Sequence, residues 1–171
     1  MTQASNSSPE IRIAQLLQTR HPLLVTAESC TGGLVADRIT DVPGSSDYFA
    51  GGVVAYANAV KTGTLGVSPA TLAQYGAVSR EIVLEMARGA RSRLNADIAV
   101  SVSGIAGPGG GLPGKPVGTT WVGLAAADGE WARLFCWDGD RRQNKHASAE
   151  AVLQMLLEYL QGNHNLDSGG K

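Results

Sequence analysis

Near the start of this chain a strand, a turn of small residues and a helix follow one another without a spacer, and that junction constrains the fold most. The apolar run over residues 23–27 leads into Glu28-Ser-Cys-Thr-Gly-Gly33, and residues 34–39 are helix-compatible. The junction places Ser29 at the C-terminal end of a strand, beside the amides that open a helix. Unpaired amides with a favourable dipole suit an oxyanion or a phosphate, and a hydroxyl next to them is half of an acyl-transfer site. The same residues also read as a hydroxyl N-cap with glycines that permit a tight turn. Both readings stand at this point.

Helices alternate with strands along the chain until an antiparallel pair appears. Ser8-Pro9 starts a first helix, with Ile11, Ile13, Ala14, Leu16 and Leu17 as its apolar face and His21-Pro22 as its stop. Residues 32–39 are predicted helical, residues 42–46 form a turn-rich loop and residues 52–56 read as a second strand. A weak helix over 59–64 precedes a short one over 68–75. Ser79 caps the clearest helix, whose stripe is Ile82, Val83, Met86, Ala87, Ala90 and Leu94. Residues 97–102 read as a strand. Residues 117–126 and 131–137 form a hairpin across Asp128-Gly129, and a closing helix spans 141–160.

This order predicts an α/β fold, a three-layer αβα sandwich with a mixed parallel and antiparallel sheet. One domain is expected over residues 8–161. The polar ends, residues 1–7 and 162–171, are expected to be disordered.

Composition narrows the function. A chain of 171 residues can bury a substantial core. Its net charge of −1 gives no basic footprint, so no direct nucleic-acid partner is expected. No apolar run reaches membrane-spanning length and no charged-then-apolar leader opens the chain, which makes the cytoplasm the expected location. Cys30 and Cys136 lie far apart without metal-ligand spacing. A buried thiol and a site-adjacent thiol, in a reducing compartment, are the expectation. No cluster of His, Cys, Asp or Glu has ligand spacing, so neither a metal nor a cofactor is expected.

Ser29 needs a base. His21 precedes the strand and falls at its other end, His164 lies in the expected tail, and His146 on the last helix has no assigned facing. No Gly-x-Ser-x-Gly elbow is present, so a Ser-His-Asp triad is poorly supported. Lysine is the alternative, because desolvation lowers an ammonium pKa and the neutral amine accepts a hydroxyl proton. Lys61 follows the second strand and can return to the sheet edge that carries Ser29. Tyr56, just before it, is placed to relay a proton or orient a leaving amine. As isolated residues, Lys61 reads rather as a solvated surface lysine and Tyr56 as core. Cys30 is a rival nucleophile at the same turn, or a small buried thiol that locks it.

A second glycine-rich element, Ser103-Gly-Ile-Ala-Gly-Pro-Gly-Gly-Gly111, follows the third strand. Its amides can cradle a phosphate or close over a ring, but it is neither a P-loop nor a dinucleotide fingerprint. A flexible surface loop, a lid or an inter-subunit arm are the other readings. Arg141 opens the last helix and suits a phosphate or carboxylate, or else pairs with Asp138 or Asp140. An orienting or capping role fits Glu28.

Taken in order, the blocks Ala27-Glu-Ser-Cys-Thr-Gly-Gly33, Val42-Pro-Gly-Ser-Ser46, Gly51-Gly-Val-Val-Ala-Tyr56, Lys61…Leu65-Gly-Val67, Gly76-Ala-Val-Ser79, Ser103-Gly-Ile-Ala-Gly-Pro108, Lys115-Pro-Val-Gly-Thr119 and Gly139-Asp-Arg141 resemble the CinA C-terminal-domain family. The resemblance covers about residues 10 to 160 and implies the same αβα architecture, usually as a dimer. It implies deamidation of nicotinamide mononucleotide to nicotinate mononucleotide and ammonia, without metal or cofactor. Ser29, Tyr56 and Lys61 fall on the family's catalytic serine, tyrosine and lysine. Substrate contacts are expected from Glu28, Thr31, Gly32 and Gly33, from Gly104, Ile105, Ala106 and Gly107, and from Arg141. Asn144-Lys145 departs from the apolar residue and arginine of many relatives, and Ala57 from a common serine. A nucleotide-binding regulatory module and a competence or DNA-damage partner protein are the alternative functions.

Overall fold

The computed structural model of the chain describes residues 7–167. Strand β1 (Leu24–Glu28) is buried along its whole length, as a strand covered on both faces must be. It pairs in parallel with β2 (Phe49–Val54) on one side and β3 (Ile98–Gly104) on the other. Strands β4 (Thr119–Ala126) and β5 (Gly129–Cys136) continue the sheet antiparallel, joined at Asp128, so the order is β2-β1-β3-β4-β5.

Helices α1 (Pro9–Arg20), α2 (Leu34–Thr40) and α6 (Arg141–Leu160) cover one face, and α3 (Asn58–Leu65), α4 (Pro69–Tyr75) and α5 (Arg80–Arg93) lie on the other. One core joins Leu17, Leu24, Ile39, Leu124 and Leu153. The second joins Val25, Ala27, Leu65, Ile82 and Met86. The fold is the expected three-layer α/β arrangement with a mixed sheet. No helix among the described residues is long and apolar enough to cross a membrane.

The chain leaves β1 to form β2 on one side, then returns past β1 to form β3 on the other. Open α/β sheets place their crevice at such a switch, outside the carboxyl ends of the strands. The parallel register brings Ser29, the segment after β2 and the glycine-rich loop after β3 to that one edge. Ser29 N–H donates to Val102 O at 2.9 Å, and Ala55 N–H to Glu28 O at 2.8 Å.

Several local expectations fail for identifiable reasons. Strand β2 ends at Val54, so Tyr56 lies beyond it and is 59% exposed rather than core. Leu94 caps the C-terminus of α5 and is exposed, as is Ile11 on the outer side of α1. Helix α2 begins at Leu34, because Gly32 and Gly33 take φ of +66° and +105°, values L side chains rarely adopt.

The C-terminal segment does not leave the fold at residue 162. Leu166 is fully buried, Arg133 donates to its carbonyl, and the Asp167 carboxylate accepts from Ala132 N–H at 2.8 Å. The rest of the expected tails, residues 1–6 and 168–171, lies outside the described residues.

Candidate active site

Ser29 is the first residue past β1 and is 8% exposed. Lys61 comes to it from the opposite helical layer, one turn into α3, and is 1% exposed. Its Nζ donates to Ser29 Oγ at 3.0 Å, to Ala55 O at 2.8 Å and to Tyr56 O at 3.3 Å. No carboxylate pairs with it among the described ion pairs. Burial without an acidic partner lowers the Lys61 pKa. The surface-lysine reading is thereby excluded. A neutral amine has two hydrogens and one lone pair. With the two carbonyls taking the hydrogens, the lone pair faces the serine hydroxyl.

Glu28 organises the turn that carries Ser29. It is 1% exposed, and its carboxylate accepts from Thr31 Oγ1 at 2.6 Å and from the amides of Gly33, Val35 and Ala36 at 3.0, 3.1 and 2.9 Å. The sequence reading left the amides that open α2 free for an anion. They are instead occupied, because the strand's own last carboxylate folds onto them and caps the helix. Glu28 and the Thr31 hydroxyl are thus both buried and engaged within the turn. Gly32 N–H is also taken, by Ser29 O at 3.1 Å.

Cys30 is buried beside Ser29, and desolvation pushes its thiol up to about 12. A thiol so held is not a thiolate at neutral pH, so the rival nucleophile is set aside. Cys30 is therefore both the buried and the site-adjacent thiol, whereas Cys136 is free and exposed at the end of β5.

Arg141 bridges three parts of the edge. Its Nη1 donates to Gly107 O at 2.7 Å and its Nη2 to the Tyr56 phenol oxygen at 2.9 Å. The alternative pairing with Asp140 is not formed: Asp140 accepts from Gln143 N–H, and the Gln143 side chain accepts from Asp140 N–H, in a capping box that starts α6. The phenol of Tyr56, with an outside donor on its oxygen, keeps its own hydrogen for another acceptor. In the glycine-rich loop, Ile105 N–H is held by Thr119 O at 2.8 Å, whereas Ala106 and Gly107 N–H donate to no chain acceptor among the described residues. Gly104 is closely packed: a Cβ there would stand 3.1 Å from Cys30 Sγ.

Beside these groups lies a cleft of about 390 Å³ lined by Leu34, Arg141, Arg142, Lys145 and His146. A Cβ added to Gly32 would stand 3.8 Å from Lys145 Nζ, so the cleft borders the turn that carries Ser29. Three cationic side chains, Arg141, Arg142 and Lys145, on the first turns of a helix oppose its dipole, an arrangement that an anion stabilises. Arg142 was not singled out from the sequence, and His146 was weighed only as a base. Their spacing with Arg141 and Lys145, on one helical face, is the signal that marks them. Among the described residues no three His, Cys, Asp or Glu side chains come together as metal ligands.

Residues 6–160 match the family model described as CinA C-terminal domain. The chain is 49% identical over 152 residues to the Escherichia coli protein named nicotinamide-nucleotide amidohydrolase PncC, covering 88% of this chain and 92% of that one. It is 51% identical over 149 residues to a putative competence-damage inducible protein of Halothermothrix orenii, where it spans 86% of itself but 36% of the relative. Among solved structures, the Agrobacterium tumefaciens competence/damage inducible protein CihA superposes with a TM-score of 0.84 at 37% identity, covering 94% of this chain and 99% of that one. A Klebsiella pneumoniae competence damage-inducible protein gives 0.87 at 34% identity, covering 90% and 96%.

Proposed function

The chain belongs to the CinA C-terminal domain family, and on that premise we propose that it is a serine amidase that hydrolyses nicotinamide mononucleotide to nicotinate mononucleotide and ammonia. The observation that carries this reading is the Ser29 Oγ to Lys61 Nζ contact of 3.0 Å, made by a buried lysine without an acidic partner. Neutral Lys61 takes the hydroxyl proton as Ser29 Oγ adds to the carboxamide carbon. The C–N bond then breaks, and ammonia leaves with a proton from the Lys61 ammonium or the Tyr56 phenol. Water adds to the resulting ester, its proton returns through Lys61, and the serine hydroxyl is restored.

Arg141 polarises the Tyr56 phenol and leaves its hydrogen directed elsewhere, which suits it to the leaving nitrogen. The basic cleft of Arg142, Lys145 and His146 takes the substrate phosphate. Lys145 there is a point charge rather than a planar fork, so affinity owes more to charge than to bidentate geometry.

The relative covered over 92% of its length supports the amidase reading. Competence appears in the names of a relative of which this chain spans 36% and of two solved structures that it covers almost whole, and a name alone carries no role over. An inert nucleotide-binding module gains nothing from a lysine buried against a serine hydroxyl, an arrangement that costs stability. The test is ammonia release from nicotinamide mononucleotide without added metal. The wild type should release it in equal amount with nicotinate mononucleotide, and Ser29→Ala should lose about 10⁴-fold or more in turnover. Turnover by Ser29→Ala within tenfold of wild type would rule out the covalent scheme.

A further inference from the structure

The proton transfers above leave Asn144 unused, although it is 1% exposed in the first turns of α6. A buried amide must be paired at both ends. Asn144 Oδ1 accepts from Gly139 N–H at 3.0 Å, and Nδ2 donates to Ala106 O at 3.1 Å. The partners fix the orientation of the side chain, since an N–H only donates and a carbonyl only accepts. The first bond belongs to the turn that opens α6. The second reaches into the glycine-rich loop.

Three consecutive carbonyls of that loop are held from outside it. Ile105 O accepts from Gly118 N–H at 2.7 Å, Ala106 O from Asn144, and Gly107 O from Arg141. In a trans peptide the carbonyl and the N–H point to opposite sides. The hold of Asn144 on the Ala106 carbonyl therefore also aims the Gly107 N–H, turning it away from Asn144 and α6. Lys61 reaches Ser29 from the opposite layer. Gly107 is buried, and its N–H donates to no acceptor among the described residues. Buried backbone N–H groups without a partner are rare. The loop also begins against the nucleophile turn, with Gly104 packed on Cys30.

We infer that Asn144 is a positioning residue for catalysis: by holding the Ala106 carbonyl it aims the Gly107 N–H at the oxyanion formed when Ser29 adds to the substrate amide. This rests on the amidase reading. A glycine-rich loop reorients its peptides easily, and beyond Ile105 no strand or helix ladder holds the Ala106 and Gly107 peptides. A donor fixed before reaction stabilises developing charge far better than one that must turn during it. Asn144 supplies that fixity from the side of the helix.

The experiment uses the full chain with nicotinamide mononucleotide at pH 8. Asn144→Leu removes both bonds at similar volume. Asn144→Asp keeps an acceptor for Gly139 N–H but sets an oxygen against the Ala106 carbonyl. Each variant should lose about 30-fold in kcat for ammonia release, with KM within about threefold of wild type. The second readout is inhibition by the aldehyde analogue of the substrate, which binds as a hemiacetal on Ser29 and needs the same donor. Its affinity should weaken by the factor lost in kcat, while affinity for nicotinate mononucleotide stays unchanged. A folded Asn144→Asp, shown by its melting curve, that retains wild-type kcat overturns the inference. So do aldehyde and product affinities that fall together, which mark a merely structural residue. A wild type that releases no ammonia overturns the amidase reading itself.

Discussion

Lys61 is the proposed base because of what surrounds it, and little of that is written in its own neighbourhood of sequence. Asn58-Ala-Val-Lys61 reads as an ordinary exposed turn of helix, yet the lysine turns inward across the sheet edge to Ser29. Its partners are two backbone carbonyls, Ala55 and Tyr56, which no residue pattern announces. Its place after the second strand made Lys61 a candidate base, and the resemblance to a family favoured it over the surface-lysine reading. Burial lowers its pKa from the ordinary 10.5, and in the proposed mechanism the working form is the neutral amine. Ammonia release should therefore rise with pH as Lys61 loses its proton, and level off above a midpoint below 10.5. A pH profile of kcat/KM checks this, and a rate that falls with rising pH over the same range contradicts it. The adjacent Cys30 shows the converse, since the same burial holds its thiol protonated.

At the scale of elements, the turn between β1 and α2 works because one carboxylate closes it. Glu28 was legible as a capping or orienting group, but its place on the amides of Gly33, Val35 and Ala36 was not, since sequence spacing does not show how a strand end folds back. Hydrogen bonds to a buried charge are strong, and removing the charge leaves several donors unpaired. Glu28→Ala should lower stability by about 3 kcal/mol, read as a fall in the urea midpoint at constant slope. A loss under about 1 kcal/mol would mean that the turn is held by its glycines alone. Other elements could be read directly. The hairpin across Asp128-Gly129 and the last helix over residues 141–160 were so read, because turn chemistry and helical periodicity are local, whereas the Asp140 cap was not. Tyr56, Leu94 and Leu166 were misplaced, because their burial depends on where a strand stops or a tail docks.

The whole molecule gathers its site from the switch in strand order. The alternation of strands and helices made the layers legible, but not the order β2-β1-β3 that brings Ser29, Lys61, Tyr56 and the glycine-rich loop together. The basic face of α6 was likewise hidden until α2 was seen to close the cleft beside it. This assembly has a stability consequence. Unfolded Lys61 binds a proton below its ordinary 10.5, whereas the buried amine binds one only below its lowered pKa. Stability should thus rise with pH between those two values, and the full penalty should apply below the lower one. Such trade-offs between stability and activity are common where a site is built into a core.

Lys61→Met keeps the length and bulk of the side chain while removing the amine. Its ammonia release from nicotinamide mononucleotide should fall by about 10³-fold or more. Its melting temperature should match or exceed that of the wild type, by the widest margin at low pH. Turnover retained by a folded Lys61→Met would show that this lysine is not the base that activates Ser29.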